Sequence, residues 1–295
     1  MKQLTVISGK GGTGKTTVTA AFAHLAINPV IADCDVDAAD LHLLLSPKLI
    51  KQEPFYGTRL ASIDIERCSR CGICEEICRF RAIHGLQVDN TSCEGCEVCA
   101  YICPEKAISL KERLSGYWFV SDTKEGPMVH AKLGIAAENS GKLVSLVRQA
   151  AKDLAETEKK DIILIDGPPG IGCPVIASIG GVDLVLAVTE PTLSGLHDLK
   201  RILEVTNHFH IPAMVCVNKY DINPENTRTI ESYCEKNGIP IAGRIPYDPA
   251  VTKAMMNVLS VAEYPCGQVT EEVKNTWRKV EEYLFRYSCD AQKIQ

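Results

Sequence analysis

The chain has 295 residues, a net charge of −5 and 45% hydrophobic residues, a balance that suits one large α/β domain with an insertion and excludes a disordered chain or a fibre. The acidic balance argues against non-specific nucleic-acid binding. No apolar run reaches the ~18 residues of a membrane span, and residues 1–8 lack the layout of a signal peptide, so we expect a cytoplasmic protein.

The N-terminal segment predicts a strand, loop, helix, strand unit. Residues 2–8 form a β-branched run typical of a buried parallel strand. Val18, Ala21, Phe22 and Leu25 then recur at helical spacing and predict a helix over 15–26. A second strand is predicted at 29–33, and the acidic run DCDVD begins at its last residue.

Periodicity gives way to cysteine motifs between residues 56 and 116, and resumes near 117. Further strands are predicted at 117–120, 128–133, 161–165, 183–188, 213–217 and 239–244, and helices at 142–154, 194–209, 224–237, 249–258 and 271–286. This alternation predicts an α/β fold with a mostly parallel sheet and helices on both faces. We therefore expect one α/β domain made of residues 1–55 and 117–295, interrupted by a small α+β domain at 56–116.

The loop GKGGTGKT, which starts at Gly9, matches the pattern G-x-x-x-x-G-K-[ST] of a phosphate-binding loop. Its glycines allow a tight turn whose backbone N–H groups point at phosphate oxygens. Lys15 is placed to reach the β- and γ-phosphates, and the Thr16 hydroxyl can ligate Mg²⁺. A glycine-rich turn that binds nothing is the alternative, and the flanking strand and helix disfavour it. The residues expected to hold the nucleotide are Gly9, Lys10, Gly11, Gly12, Thr13, Gly14, Lys15, Thr16 and Thr17.

A second lysine in the loop, Lys10, makes this segment similar to the deviant phosphate loop of the MinD/Mrp/nitrogenase iron protein class of P-loop ATPases. The resemblance implies an ATP-dependent homodimer in which Lys10 contacts the nucleotide on the partner subunit. It implies that Asp35 orients the attacking water and that Asp166, which opens the segment DGPPG, holds the Mg²⁺ shell. It also implies that Gly170 senses the γ-phosphate through its N–H.

Base recognition is also inferred from the resemblance. Asn218, at the end of AMVCVN, stands where the family contacts the base, and Pro246 and Asp248 lie in a segment similar to the one that closes over adenine. The tetrapeptide that starts at Asn218, NKYD, also matches the N-K-x-D guanine motif of GTPases. The loop with two lysines favours ATP.

Cysteine is the outlier of the composition, with 14 residues, of which eight lie between positions 68 and 103. Without an export signal, this density favours metal ligation in a reducing compartment over disulfides. The motif C-x2-C-x2-C-x3-C occurs twice, 25 residues apart, and the second copy ends in Cys-Pro, as in bacterial ferredoxins. Zinc sites and a disulfide knot are the alternatives, but zinc favours two cysteine pairs at wider separation.

The ferredoxin pattern predicts two [4Fe–4S] clusters with crossed ligation, because the fourth cysteine of each motif points to the other cluster. The first cluster is assigned to Cys68, Cys71, Cys74 and Cys103, and the second to Cys93, Cys96, Cys99 and Cys78. The other cysteines are scattered, at Cys34, Cys173, Cys216, Cys234, Cys266 and Cys289.

Three functions compete for this combination. The first is a dimeric switch that binds and hydrolyses ATP and passes electrons to, or senses redox state for, an unidentified metallocentre protein. The second is an ATP-dependent carrier or scaffold for assembling iron–sulfur or other metal clusters. The third is a MinD-like positioning protein at a membrane, against which the cysteine insert argues. Complete four-cysteine ligation favours permanent clusters, and therefore the first function.

Overall fold

The computed structural model describes residues 1–134 and 140–286, so Cys289 and the end of the expected 117–295 segment lie outside the described residues. The strands are β1 (Lys2–Ser8), β2 (Pro29–Asp33), β3 (Lys48–Ile63), β4 (Ile83–His84), β5 (Gln87–Val88), β6 (Ile108–Thr123), β7 (Gly126–Leu133), β8 (Ile162–Pro169), β9 (Leu184–Thr189), β10 (Ala213–Asn218) and β11 (Ile241–Ile245). The helices are α1 (Lys15–Leu25), α2 (Leu41–Leu45), α3 (Ile73–Ile77), α4 (Val98–Ile102), α5 (Ser140–Thr157), α6 (Cys173–Ile179), α7 (Leu193–His208), α8 (Pro224–Lys236), α9 (Ala250–Met256) and α10 (Gln268–Arg286).

The main sheet has the strand order β11-β10-β9-β1-β8-β2-β7-β6-β3 among the described residues. β1 pairs in parallel with β8 on one side and β9 on the other. Parallel pairing continues through β10 to β11 and through β2 to β7. The predicted α/β fold with a mostly parallel sheet is therefore confirmed.

Both faces of the sheet carry helices. The successive side chains of β1 point to opposite faces, and both sets are buried, so each face must be covered. Leu4 and Val6 join a core cluster with Phe22 of α1 and Trp277 of α10, whose rings lie 4.9 Å apart. Thr5 points to the other face, where its hydroxyl donates to the carbonyl of Ser178 in α6. The apolar stripe of α10 is buried at Val273, Trp277, Val280 and Leu284.

The strand register sets the carboxyl ends of the central strands level with each other. Asp166 of β8 lies opposite Val6 of β1 and opposite Asp33 of β2. The segments that follow these strands therefore leave the sheet at one edge, which is where ligands bind in open α/β sheets.

The described chain divides into two compact units. Unit 1 comprises Met1–Gln52, Trp118–Ala131 and the described residues from Ser140 onward. Unit 2 comprises Glu53–Tyr117 and residues 132–134. The domain bounds expected from the sequence, 1–55, 56–116 and 117–295, stay a prediction.

Unit 2 repeats one backbone pattern at an interval of 25 residues. α3 and α4 are five residues each and begin 25 positions apart. The residue before each helix has a positive φ, +78° at Gly72 and +68° at Glu97. The same holds after the helices, with φ +51° at Arg81 and +49° at Lys106. The sequence repeat is thus a repeat of conformation. β4 and β5 pair as a short antiparallel hairpin.

Candidate functional site

A cavity of about 480 Å³ opens at the carboxyl edge of the sheet in unit 1. We call it the loop cavity; its lining includes Gly11, Gly12, Thr13, Gly14, Lys15, Thr16, Thr17, Asp35, Pro169, Asn218, Pro246, Tyr247 and Asp248. Gly12 and Gly14 adopt φ values of +81° and +91°, which favour glycine. A Cβ at Gly14 would also lie 2.2 Å from Nδ2 of Asn218, so a larger residue would displace that amide from the Thr13 carbonyl.

Lys15 is the buried cation of this cavity. Only 6% of its side chain is exposed, and its Nζ lies 2.8 Å from Oδ1 of Asp166 and 3.4 Å from Oδ2 of Asp35. Burial acts to lower the pKa of Lys15, but the two carboxylates outweigh it and hold the pKa above its usual value. The structure thus brings together three of the four residues predicted to be catalytic.

Asp166 is held by the first turns of α1. The Thr16 hydroxyl donates to its Oδ2 at 2.8 Å, and the Thr19 hydroxyl lies 3.0 Å from its Oδ1. A carboxylate beside a threonine hydroxyl at the start of the helix is a donor set that suits a hydrated Mg²⁺ ion.

Sequence reasoning gave no role to Asp33, which the structure places beneath Asp35. Its carboxylate is fully buried and accepts the backbone N–H groups of Asp35 at 3.1 Å and of Leu41 at 3.3 Å. Burial, and then the nearby charge of Asp166, raises the pKa of Asp33 well above its usual value. Asp33 therefore fixes the segment that carries Asp35. Its position at the end of a buried strand next to β8 is the signal that could have found it.

Thr13 supplies the clearest sign that the loop is built for a polar ligand. Its hydroxyl oxygen is buried and has no hydrogen-bond partner among the described residues. A buried hydroxyl without a partner costs about 1–3 kcal/mol. Bound phosphate would supply acceptors at this loop, so the residues present fit a nucleotide.

Lys10 lies beside the loop cavity rather than in its lining, and it is held by Glu190. Its Nζ is 2.6 Å from Oε1 of Glu190 and 3.1 Å from the Ser194 hydroxyl. Lys219 shares Glu190 at 3.4 Å and also donates to the Gly12 carbonyl. Burial acts to raise the pKa of Glu190, but Lys10 and Lys219 outweigh it and hold the pKa below its usual value. Glu190 belongs to no sequence motif, and its place directly after β9 at the same edge is the signal that could have found it.

The other residues predicted to contact the nucleotide lie at the same edge of the sheet, where each forms a hydrogen bond within the protein. The N–H of Gly170 donates to the Ser8 carbonyl at 2.9 Å, so a role in sensing phosphate requires that bond to open. Asn218 lines the cavity and donates to the Thr13 carbonyl at 2.7 Å. Asp248 lines it too, and its Oδ1 accepts the N–H of Ala250.

The structure argues against guanine binding, because the aspartate that would pair with the guanine base has another partner. Asp221, the last residue of the N-K-x-D tetrapeptide, accepts the backbone N–H of Tyr247 at 2.7 Å. Asp221 is absent from the described residues that line the loop cavity. It therefore acts as a backbone tether for the segment that contains Pro246 and Asp248.

Unit 2 contains two cavities lined by cysteines. The first, of about 340 Å³, is lined by Cys68, Cys71, Cys74 and Cys103. The second, of about 260 Å³, is lined by Cys78, Cys93, Cys96 and Cys99. Each cavity thus combines three thiols of one motif with the last cysteine of the other. Crossed ligation of two clusters would use the same two groups of cysteines, and it stays a prediction.

The environment of these thiols fits a cluster better than a single ion. Among the described residues, no three of the eight sulfurs lie within 4.8 Å of one another. A single Zn²⁺ ion, with Zn–S bonds of about 2.3 Å, would draw them to about 3.8 Å. Backbone N–H groups also point at three sulfurs, from Ala82 to Cys78 and from Ala107 to Cys103 at 3.3 Å, and from Arg70 to Cys68 at 3.4 Å. Such hydrogen bonds tune the reduction potential of iron–sulfur clusters. The donor set therefore fits [4Fe–4S] groups.

The scattered cysteines among residues 1–134 and 140–286 take no part in these cavities. Cys34, Cys216, Cys234 and Cys266 are buried in unit 1, and Cys173 is exposed at the start of α6. Burial raises the pKa of Cys216 to about 12 and that of Cys234, with Glu231 nearby, to about 11. Such thiols stay protonated, and they act as small apolar core residues.

Comparison with known proteins identifies the family of the α/β domain. Residues 4–261 match the model of the CobQ/CobB/MinD/ParA nucleotide binding domain. The chain belongs to this family. The predicted resemblance is thereby confirmed at the level of MinD- and ParA-type P-loop proteins.

Relatives of this MinD/ParA-family chain span nearly its whole length. The uncharacterized protein MJ0578 of Methanocaldococcus jannaschii is 33% identical over 96% of this chain and 97% of its own length. The uncharacterized ATP-binding protein MJ0547 of the same organism is 25% identical over 92% of this chain and 85% of its own.

Solved structures show the same fold. The septum site-determining protein MinD of Pyrococcus horikoshii, complexed with Mg-ADP, has a TM-score of 0.58 at 19% identity, covering 95% of this chain and 96% of that one. The ParA family ATPase of Chlorobium tepidum has a TM-score of 0.54 at 16% identity, covering 94% and 98%. Within residues 1–134 and 140–286, no helix is both long and apolar enough to cross a membrane.

Proposed function

We propose that this chain is an ATP-binding and ATP-hydrolysing dimeric switch coupled to two [4Fe–4S] clusters, and that it transfers electrons to, or senses redox state for, a metallocentre partner. The observation that carries the proposal is the pair of four-cysteine cavities in a chain that also holds a complete phosphate-binding loop. MinD of Pyrococcus horikoshii, which binds Mg-ADP, supports the nucleotide assignment.

The chemistry of the ATPase is assigned to four side chains. Lys15 neutralises phosphate charge from a buried position between Asp35 and Asp166. Thr16 and Asp166 hold the Mg²⁺ shell, as their mutual hydrogen bond prepares them to do. Asp35 orients the attacking water. Burial raises its pKa, although Lys15 acts to lower it, and a raised pKa makes this carboxylate a better proton acceptor.

Lys10 gives the switch its dependence on a second copy of the chain. In this chain alone its ammonium is neutralised by Glu190. Contact with a nucleotide on the partner subunit requires Lys10 to exchange the Glu190 carboxylate for a phosphate, which carries more charge. Dimer formation is therefore coupled to the presence of the triphosphate.

The clusters are assigned to the insert with crossed ligation. Cys68, Cys71, Cys74 and Cys103 would hold one, and Cys93, Cys96, Cys99 and Cys78 the other. Bound clusters of this type supply one-electron redox chemistry. Each cavity offers a complete set of four thiols, which favours retained clusters over transferred ones. This is the reason to place electron transfer or redox sensing above the second candidate, an ATP-dependent cluster carrier.

The experiment that tests this function starts with anaerobic reconstitution of the full chain. Two clusters require about eight irons and eight sulfides per chain. Cluster potentials are then measured with and without ATP, beside an assay for cluster transfer to an apo-acceptor protein. Potentials that shift with ATP and no transfer support the redox switch. Rapid ATP-dependent transfer would favour the carrier, and a reconstituted chain that retains no iron would leave only a MinD-like positioning role.

A further inference from the structure

Three segments of unit 1 meet at a second group of charged side chains. His24 lies near the end of α1, Glu125 in the turn between β6 and β7, and Glu263 in the segment before α10. Nδ1 of His24 is 3.7 Å from Oε1 of Glu125 and 3.9 Å from Oε2 of Glu263. None of the three lines the loop cavity. The helix rise puts His24 about 14 Å along α1 from Lys15.

Glu125 is the feature that points to a missing ligand. Only 2% of its side chain is exposed, and neither carboxylate oxygen has a hydrogen-bond partner among the described residues. Buried polar atoms are almost always hydrogen-bonded, and a buried carboxylate is costly unless it is paired or coordinates a metal ion. The closest charged groups are Lys124, at 3.6 Å, and His24. The site is therefore short of one strong cation.

Lys124 occupies the cation position only in part. Its ammonium contacts Glu263 closely and lies 3.6 Å from Glu125, but its side chain is 49% exposed, so it can turn into solvent when another cation takes over these two carboxylates. With His24 neutral, one ammonium and two carboxylates leave a net charge of −1. A divalent ion in place of the ammonium would bring the charge of the group to zero.

We propose that His24, Glu125 and Glu263 bind a divalent first-row transition-metal ion, which displaces the Lys124 ammonium. One imidazole nitrogen and two carboxylate oxygens suit ions such as Mn²⁺, Fe²⁺ or Zn²⁺. Their donor atoms all lie within 4.8 Å of one another. Metal–donor bonds of about 2.0–2.2 Å at a tetrahedral angle would bring them to about 3.4 Å. That is a contraction of a few tenths of an ångström from the 3.7 Å and 3.9 Å between His24 and the two carboxylates. The bound ion joins α1, the β6–β7 turn and the segment before α10.

The test is a titration of the anaerobically prepared, nucleotide-free full chain with Mn²⁺. The free ion is counted by its electron paramagnetic resonance signal. Mn²⁺ is chosen because it prefers carboxylate oxygen over thiolate sulfur, so the thiols of unit 2 compete weakly. His24→Ala should weaken binding of one Mn²⁺ per chain by at least about tenfold. His197→Ala is the matched control, because His197 is exposed and faces a single carboxylate, that of Asp198, at 3.3 Å; it should bind as the unaltered chain does.

Lys124→Gln distinguishes a metal site from a purely structural ion pair, because only a metal site predicts tighter Mn²⁺ binding when the ammonium is removed. Removing the competing ammonium should tighten Mn²⁺ binding at least about threefold and increase the rise in thermal midpoint that Mn²⁺ produces. The side chain is half exposed, so this variant should fold. Equal Mn²⁺ binding by the unaltered chain and His24→Ala would overturn the proposal. Unchanged or weaker binding by Lys124→Gln would overturn it as well.

Discussion

Lys10 and Glu190 show how one ion pair can set a switch. Lys10 is 34% exposed and bound to a half-buried carboxylate that it shares with Lys219. The pair keeps the lysine close to the loop without placing it in the cavity lining. Its charge is thus available to a second nucleotide only when the bond to Glu190 opens.

Lys10→Ala should leave nucleotide affinity within about threefold and reduce dimer-dependent turnover at least about 100-fold, the loss typical of removing one preorganised transition-state donor. The measurement is ATP hydrolysis as a function of protein concentration, beside binding of a fluorescent nucleotide. Lys152→Ala, an exposed lysine of α5, is the control. Normal turnover by Lys10→Ala would show that the assignment of this lysine to the interface is wrong.

His130 predicts a pH dependence of stability. It stacks between Phe119 and His42, with ring centroids at 4.9 Å and 6.2 Å, and its Nε2 lies 3.0 Å from the Ser121 hydroxyl. Burial, and then the charge of His42, lowers the pKa of His130 from 6.5 to about 4. The unfolded chain therefore takes up a proton first as the pH falls, and stability is lost below pH 6.5.

His130→Gln should remove this part of the acid sensitivity. After allowance for solvent screening, the unaltered chain should lose roughly 1 kcal/mol more than the variant between pH 7.5 and pH 5. The measurement is the thermal midpoint at several pH values, with His197→Gln as an exposed control. Parallel pH profiles for the unaltered chain and His130→Gln would contradict the buried neutral state of this histidine.

At the scale of elements, each cysteine cavity combines three residues of one motif with the last cysteine of the other. Cys103 lines the cavity of the first motif and Cys78 that of the second. Cys103→Ala should therefore damage the cluster assigned to Cys68, Cys71 and Cys74, although Cys93–Cys99 is nearer in sequence. Iron counts and Mössbauer or paramagnetic resonance spectra measure which cluster is lost. Cys78→Ala is the reciprocal control and should damage the other cluster. If Cys103→Ala removed the second cluster instead, crossed ligation would be refuted.

Each cavity is lined by one arginine at a different place in the repeat: Arg79 lines the second cavity where Pro104 lines the first, and the first has Arg70 instead. A cation stabilises the more negative reduced form of a cluster. Arg79→Gln should therefore lower the potential of the second cluster by roughly tens of millivolts and leave the first unchanged. Redox titration followed by paramagnetic resonance separates the two. Arg70→Gln, near the first cluster, is the comparison variant. Equal shifts of both clusters in Arg79→Gln would deny this arginine a local role.

Elements with a strong local signal were predictable from the sequence, and those that depend on context were not. The strands at 2–8 and 29–33 have the expected bounds, because buried parallel strands are continuous apolar runs. β3 was not predicted. It contains Pro54, most of its first residues are exposed, and it is the last strand in the sheet order, where proline is tolerated. α2 and α6 are five and seven residues long, too short for a periodic signal.

The residues of the candidate site likewise divide into those that a sequence motif reveals and those that only the fold brings together. The loop residues follow a motif whose spacing is fixed by phosphate geometry, so Lys15 and Thr16 could be read directly. Glu190 and Asp33 have no motif, and their roles come from the strand order that brings β9, β1, β8 and β2 side by side. The pairing of His24 with Glu125 and Glu263 depends on contacts across more than 100 residues of chain, which no single-sequence pattern reveals.

At the scale of the whole molecule, the proposed function requires that nucleotide and cluster influence each other. Asp33 joins the Asp35 backbone to the start of α2, and β3 follows α2 directly and carries the chain on to Glu53, where unit 2 begins. A charge change at Asp35 therefore acts on the segment that leads into the insert. Local electrostatic events of this kind bias larger elements in nucleotide switches. If they do so here, thermodynamic linkage makes the effect reciprocal.

The prediction is that cluster potentials differ between nucleotide states, and that cluster reduction changes nucleotide affinity by the same free energy. A tenfold change in affinity corresponds to about 59 mV for a one-electron couple, so shifts of tens of millivolts are expected. Asp35→Asn should bind ATP but hydrolyse it slowly, which provides a stable ATP-bound sample. The measurement is a redox titration of this variant with no nucleotide, with ADP and with ATP. The control is the redox titration of the unaltered chain with ADP bound. Three superimposable curves would mean that the two sites are independent at equilibrium, and a redox function gated by ATP would then lose its physical basis.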